Sequence, residues 1–179
     1  MPPPPVDIPI PNIPQETDVW CWVAVVQQIV YFKNGSMGTP SQCTMVSLSK
    51  NAPIQYCCTN YNNCRTTGSL PEIQQLLHHF GGSFSSYSPP ANAMALYQTL
   101  AQGKPVIMQI STTPPGYPSG MSHVIVIRGM YFQATPNGAI PMLIVNDPFS
   151  QYAQKTPFTQ NVPFSQLAPL WQAAIVIHN

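Results

Sequence analysis

The sequence is short of charge and of long apolar runs. Only 6% of its 179 residues are charged, six Lys and Arg against five Asp and Glu, where about 25% is usual. Six basic side chains are too few to neutralise many phosphates, which argues against a nucleic-acid partner. No apolar run reaches the ~18 residues of a membrane span. The chain also lacks heptads for a coiled coil and a glycine period for collagen, which leaves one neutral globular domain.

Proline is abundant instead, and it is concentrated at the start. The chain has 22 Pro, and residues 1–14 contain seven of them. Proline lacks an N–H and disfavours helix at the preceding residue. Residues 1–14 are therefore predicted to form either an extended arm that lies on the domain or a linker from a larger protein. They do not resemble a signal peptide, because a basic start and a continuous apolar stretch are missing.

Helical patterns come first in the chain. Apolar side chains from Trp20 to Phe32 predict a helix that is buried nearly all round, with Thr17 or Asp18 as its cap and Asn34-Gly35 as its end. Further helices are predicted to begin at Thr39-Pro40, at the capping box Ser69-Leu70-Pro71-Glu72 and at about Asn92.

Strand patterns come second. After Gly103 the chain contains short β-branched apolar runs at 105–110, 123–130, 142–145 and 173–177. Helices followed by strands are typical of α+β proteins. We expect a helical half, about residues 15–103, packed on an antiparallel sheet, about residues 104–179.

Four of the five cysteines lie within 22 residues, at Cys43, Cys57, Cys58 and Cys64. Adjacent cysteines rarely bond each other, so two pairings remain: Cys43–Cys57 with Cys58–Cys64, or Cys43–Cys58 with Cys57–Cys64. Either would fasten the polar loop 50–68 and indicate an oxidising compartment. A zinc site and free thiols are the alternatives, although CxxC pairs are missing.

The fifth cysteine is a candidate nucleophile. Cys21 begins the predicted buried helix, between Trp20 and Trp22. A helix N-terminus stabilises a thiolate, and a thiolate nucleophile needs a base partner, usually an imidazole. The alternative is an inert core cysteine, because cysteine is among the most buried residue types.

Among the four histidines, His123 is the best candidate for that base. It begins an apolar strand directly after the Gly- and Pro-rich loop 111–122, which we expect to rim a cleft and to contribute to substrate choice. His78 and His79 fall on the polar face of a helix, and His178 is next to the C-terminus.

Two further side chains complete a candidate site. Asp147 ends an apolar strand in the sequence Asn146-Asp147-Pro148, where it either orients the imidazole or simply forms a turn. Gln15 is either a surface amide or a donor that, together with the backbone N–H of Cys21, forms an oxyanion hole.

The order and spacing of these residues resemble the papain-like cysteine peptidases. In that family Gln, five residues and Cys-Trp open a buried helix, as Gln15 and Cys21-Trp22 do here, and His and then Asn or Asp follow on strands. Within the family, the small bacterial C39-like and AvrRpt2-like branches are the most similar. The matching segments are His123 to Gly129, the NDP segment Val145 to Phe149, and an insert with Gln42-Cys43, Cys57-Cys58, Cys64 and Thr67 to Leu70. The resemblance therefore covers about residues 14–150.

The resemblance implies a papain-like catalytic domain over residues 15–179 that cleaves peptide bonds without a metal or cofactor. The implied roles are nucleophile for Cys21, general base and acid for His123, orienting acid for Asp147, oxyanion donors for Gln15 and the Cys21 N–H, and secondary orienting roles for Asn146 and Trp22. The expected partners are a protein or peptide substrate and a cognate inhibitor or immunity protein. The low charge favours a secreted or exported bacterial enzyme, such as an effector or toxin domain.

One departure and several alternatives remain at this point. Cys21 and His123 are 102 positions apart, whereas ~130–150 is typical of the papain group. An NlpC/P60-type peptidoglycan hydrolase or a deamidating or transglutaminase-like toxin would use a similar Cys–His pair, but the spacing from Gln15 to Cys21 favours a peptidase. A binding module with a dead site is the third interpretation, and a Cys21 thiol pKa near 8.5 or above would favour it.

Overall fold

The structure is a computed structural model that describes residues 2–84, 88–111, 122–149 and 159–178. Within these ranges no helix is long and apolar enough to cross a membrane. The helices and strands, in chain order, are β1 (Val6–Asp7), α1 (Cys21–Asn34), α2 (Gln42–Ser49), α3 (Tyr56–Thr59), α4 (Leu70–His79), β2 (Ser83–Phe84), α5 (Ala93–Ala101), β3 (Val106–Ile110), β4 (His123–Thr135), β5 (Gly138–Asn146), β6 (Thr159–Pro163), α6 (Phe164–Leu167) and β7 (Trp171–His178).

The seven strands form one antiparallel sheet in the order β2-β7-β3-β4-β5-β6, with β1 added beside β4. Strand β4 is central, since it pairs with β3, β5 and β1. Helix α1 packs against β4 and against α2 and α4. The predicted α+β architecture, a helical half packed on an antiparallel sheet, is confirmed.

Helix α1 has the predicted position but not the predicted cap. It is buried over most of its length, and it ends at Gly35, which has a φ of 72° and donates its N–H to Tyr31 O. Neither Thr17 nor Asp18 caps its start, because Trp20 occupies the cap position and its side chain makes no capping hydrogen bond there. The carboxylate of Asp18 instead forms an ion pair with Arg65, which lowers the pKa of Asp18 through a hydrogen bond and the adjacent positive charge.

The starts of α2, α4 and α5 follow their side-chain caps. The capping box at Ser69 and the helix start at about Asn92 are confirmed, and Asn92 is the cap, with its Oδ1 accepting a bond of 2.8 Å from the N–H of Ala95. The predicted start of α2 at Thr39-Pro40 is wrong by a few residues. Helix α2 begins after Ser41, whose hydroxyl accepts from the backbone N–H of Thr44.

The four predicted strands are present, and three others were missed. Strands β4 and β5 are longer than predicted because they continue into a hairpin at Thr135 and Gly138. The missed strands are β1, β2 and β6: the first two contain only two residues each, and β6 has few apolar side chains.

Part of the Pro-rich start lies on the sheet. Val6 pairs with Met130 of β4, and Ile8 and Ile10 are buried in the core. A Cβ atom on Gly129 would lie 2.4 Å from the carbonyl oxygen of Val6, so this approach requires glycine. The described part of the segment therefore has the contacts of an arm.

Two disulfides fasten the cysteine-rich region. Cys43 is bonded to Cys58, and Cys57 is bonded to Cys64. This is the second of the two pairings left open by the sequence, so these four residues are neither zinc ligands nor free thiols. The bonds join α2, α3 and the 3-10 turn Tyr61–Cys64 into one unit beside the start of α1.

Candidate active site

The sulfur atom of Cys21 stands at the N-terminus of α1, on the first helical residue. The two neighbouring indoles fix this end of the helix. Trp20 Nε1 donates to the carbonyl oxygen of Cys64 at 3.0 Å, and Trp22 Nε1 donates to that of Thr66 at 3.2 Å. Because Cys64 is disulfide-bonded and Thr66 follows it two residues later, the disulfide-bonded region and the residues directly after it hold the chain on either side of Cys21.

The Trp22 ring packs so closely against Gly68 that no side chain fits at position 68. A Cβ atom on Gly68 would lie 2.1 Å from Cδ2 of the Trp22 ring, so glycine is required there. Trp20 is fully buried and its ring lies 4.9 Å from that of Tyr61. The position of Cys21 is thus set by tertiary packing rather than by a helix cap.

His123 and Asp147 meet where β4 begins and β5 ends. The antiparallel pairing of these strands brings the two ends together, and His123 Nε2 lies 2.7 Å from Asp147 Oδ1. His123 is fully buried, and the ring of Phe149 packs edge-on against it at 6.2 Å. The same Oδ1 atom accepts a bond of 3.0 Å from the backbone N–H of Phe149.

The surroundings of His123 favour the protonated form of its imidazole. Burial lowers the pKa of His123, but hydrogen bonds with Asp147 and Cys21, together with the negative charges of both, raise it to about 9. Because Nε2 faces Asp147, the other edge of the ring is left for Cys21. A protonated imidazole in contact with Cys21 favours the thiolate form of the sulfur.

Gln15 lies buried next to the same strand end. Its backbone N–H donates to the carbonyl oxygen of Pro148 at 3.0 Å, and its Nε2 donates to the carbonyl oxygen of Thr17 at 2.7 Å. A side-chain NH2 group has two hydrogens, and the bond to Thr17 uses one of them. The N–H of Cys21 is at the end of α1 where backbone donors point out of the helix. The oxyanion role of these two donors stays a prediction.

Asn146 and Trp22, for which secondary orienting roles were predicted, make contacts other than a hydrogen bond with His123 Nε2. Asn146 is fully buried and donates to Ile10 O at 3.0 Å and to Gln28 Oε1 at 3.2 Å, so it joins the sheet to the arm and to α1. Trp22 fixes the helix start. It is therefore Asp147, and not the adjacent amide, that binds His123 Nε2.

Two other sequence predictions concern the surroundings of the site. Most of the loop expected to rim the cleft, residues 112–121, lies outside the described residues. Over the described part of the chain, no group of three or more His, Cys, Asp or Glu side chains is arranged to hold a metal ion. Sequence reasoning missed the buried amides Gln28 and Gln42, whose one signal was polarity beside apolar helical positions.

Solved structures define the class of this fold. The peptidase domain of Streptococcus ComA, a bi-functional ABC transporter involved in a quorum-sensing pathway, matches with 17% identity and a TM-score of 0.60, over 93% of this chain and 97% of that one. A Bacillus anthracis protein described as a C39-like peptidase matches with 14% identity and a TM-score of 0.52, over 99% and 98%. The fold is that of the C39-like peptidases.

The family follows from the sequence match. The family model of the papain-like cysteine protease AvrRpt2 matches residues 5–163. The chain therefore belongs to this family and is a papain-like cysteine protease, which confirms the resemblance. No curated protein matches the chain.

Proposed function

We propose that this protease cleaves peptide bonds by a Cys–His–Asp mechanism with Cys21 as its nucleophile. The observation that supports it most is the buried imidazole of His123, which binds the carboxylate of Asp147 at 2.7 Å and whose pKa is raised by both Asp147 and Cys21. A nucleophile, a base and an orienting group in mutual contact are the arrangement that acyl transfer needs.

In the first half of the reaction the Cys21 thiolate attacks the carbonyl carbon of the substrate and forms a C–S bond. The N–H groups of Gln15 and Cys21 hold the resulting oxyanion. The His123 imidazolium then gives its proton to the leaving nitrogen, the C–N bond breaks, and a thioester remains on Cys21. Asp147 keeps the ring oriented while its charge changes.

In the second half a water molecule attacks the thioester carbon, and the now neutral His123 takes the proton of that water. The C–S bond breaks, the carboxylic acid product leaves, and Cys21 returns to the thiolate. The protonated His123 of the resting enzyme is restored, so no cofactor or redox partner enters the cycle.

We further propose that the enzyme acts after export from the reducing cytosol. Its two disulfides belong to a class of bonds that form and persist in oxidising compartments. An effector or toxin role, with an inhibitor or immunity protein as partner, is consistent with a protease outside its own cell and stays a prediction.

A proteome digest tests the proposed activity. We expect incubation with a mixed-protein lysate to create new protein N-termini, identified by mass spectrometry, and we expect none from the same protein alkylated with iodoacetamide. A parallel incubation with purified peptidoglycan covers the main alternative. Release of stem peptides without new protein N-termini, or conversion of Gln to Glu without cleavage, would replace the proposal by a peptidoglycan hydrolase or a deamidase.

The pH dependence of alkylation tests the proposed ion pair. An ordinary thiol with a pKa near 8.5 reacts about 160-fold more slowly at pH 6 than at pH 8.5, in proportion to its thiolate fraction. We expect the Cys21 rate to change by less than about threefold over this range, because His123 stays protonated below its pKa of about 9 and preserves the thiolate.

The matched control is the same chain unfolded in urea with its disulfides intact. Cys21 belongs to neither disulfide, so it remains a free thiol there, and unfolding separates it from His123. We expect that sample to follow the ordinary thiol profile. A folded protein with the profile of the urea sample would show that the ion pair does not form, and would favour the dead-site interpretation.

A further inference from the structure

Among the residues that the structure describes, three amide side chains are fully buried without any role in the proposed chemistry. They are Gln28 of α1, Gln42 of α2 and Asn146 of β5. Burial of an amide is unfavourable unless its hydrogen bonds are made, so each buried amide needs partners inside the protein. All three find those partners in one segment, residues 10–16, which connects the arm to the active-site helix.

Gln42 is hydrogen-bonded to the backbone on both sides of Gln15. Its Nε2 donates to the carbonyl oxygen of Pro14 at 2.8 Å, and its Oε1 accepts from the backbone N–H of Glu16 at 2.9 Å. Nε2 also donates to Gln27 Oε1 at 2.9 Å, so a side chain of α1 holds the Gln42 amide of α2 in place. The backbone that carries Gln15 is thereby fixed without a contact to the Gln15 amide itself.

Gln28 joins the same segment to the strand end that carries Asp147. Its Nε2 donates to Asn12 Oδ1 at 2.9 Å and to Ile13 O at 3.0 Å, while its Oε1 accepts from Asn146 at 3.2 Å. Both hydrogens and the oxygen of this one amide are therefore in use.

The hydrogen bonds around Asp147 form a closed network between the arm, α1 and β5. Asn12 Nδ2 donates to the carbonyl oxygen of Asp147 at 3.2 Å, and Asn146, the preceding residue, donates to Ile10 O. Together with Gln28, these bonds hold the backbone of Asp147 against the arm. The oxyanion donor and the orienting acid thus share one buried scaffold.

We propose that Gln42 and Gln28 are positioning residues, Gln42 for the oxyanion donor Gln15 and Gln28 for the orienting acid Asp147. The roles rest on the proposed function, since they have meaning only if Gln15 and Asp147 act on Cys21 and His123. Small displacements matter at such sites, because a misplacement of about 1 Å can cost about 100-fold in rate.

The two glutamines have different expected signatures. Gln42→Met removes the bonds to Pro14, Glu16 and Gln27 at similar side-chain size. We expect kcat for a cleaved peptide to fall about 10- to 100-fold with KM little changed, because an oxyanion donor acts mainly in the transition state. The alkylation profile of Cys21 should stay flat. Gln28→Met should lower kcat as well, but it should also move the alkylation profile toward that of an ordinary thiol, because His123 loses its well-placed acid.

The matched control is Ser47→Ala on α2. Ser47 is as buried as Gln42, and its hydroxyl accepts from the backbone N–H of Cys57 at 3.1 Å, away from the arm. We expect this variant to lower the melting temperature while leaving kcat and the alkylation profile unchanged. If a Gln42→Met chain does not fold, Gln27→Met takes its place with a smaller expected loss, because it removes the α1 partner of Gln42 and leaves the bonds to Pro14 and Glu16.

The outcomes separate this inference from the proposed function. If both glutamine variants lose stability as Ser47→Ala does but keep kcat and the alkylation profile of the unmodified protein, the positioning roles are wrong. If the unmodified protein cleaves no peptide, the proposed function fails instead. The alkylation profile of Gln28→Met still decides the role of Gln28 in that case, because it needs no substrate.

Discussion

Cys21→Ala is expected to lower kcat/KM for peptide cleavage by about 10⁴-fold or more, because covalent catalysis ends when the nucleophile is removed. Cys21→Ser tests the thiolate itself. It keeps the size of the side chain, but a serine hydroxyl does not ionise beside His123 as a thiol does, so we expect a comparable loss. The measurements are kcat/KM on a peptide found in the proteome digest and the mass shift after iodoacetamide, which both variants should lack.

The control for this result is Val25→Ala, a buried position of the same helix with no proposed chemical role. It should lower the melting temperature yet retain most of the activity. Full hydrolysis by Cys21→Ala, with the protein folded, would contradict the mechanism outright and would direct attention to a contaminating protease or to another nucleophile.

The sequence was most informative where it offered few choices. With five carboxylates and four histidines, the candidates for an acid–base pair were few, and His123 and Asp147 do lie 2.7 Å apart. The apolar character of α1 predicted its burial, and the Gln15-to-Cys21 spacing indicated the family. These features are local patterns or short distances along the chain, which a single sequence records well.

What the sequence did not reveal depends on distant contacts. Asp18 looked like a helix cap, but Arg65, 47 positions away, binds it instead. The burial of Gln28 and Gln42 was missed, because a polar residue beside apolar helical positions can equally be a surface amide, and only the folded chain shows the difference.

The choice of disulfide pairing was also tertiary. Cys57 and Cys58 are neighbours on one short helix, but Cys57 points into the core, where Cys64 is equally buried. Cys58 is less buried and lies near α2, within reach of Cys43. The two pairings share the same residues and nearly the same loop lengths, so the directions of the side chains decide between them.

Asp147→Ala is expected to lower kcat/KM by about 10²- to 10⁴-fold, because His123 loses both the acceptor that orients its ring and the negative charge that stabilises the imidazolium. The pKa of His123 should fall from about 9, so the loss of activity on the alkaline side should begin at lower pH. Profiles of kcat/KM against pH measure both effects. A profile unchanged in height and position would remove Asp147 from the mechanism.

Asp147→Asn should be far less damaging, and the reason lies in the geometry around one atom. An asparagine is harmful in such a position when its NH2 group turns toward the imidazole and imposes the wrong tautomer. Here two donors converge on Oδ1, the His123 Nε2 at 2.7 Å and the Phe149 N–H at 3.0 Å. An NH2 group at that point would face two N–H groups, so the amide should keep its oxygen there and continue to accept from His123.

We therefore expect Asp147→Asn to retain the orientation of His123 and to lose only the charge, with a decrease in kcat/KM of no more than about tenfold to 100-fold and a lowered alkaline limit. A loss as large as that of Asp147→Ala would mean that the charge, rather than the orientation, carries the effect of this residue. In that case the raised pKa of His123 would itself be a requirement of catalysis, and the alkylation profile of Asp147→Asn should revert to that of an ordinary thiol.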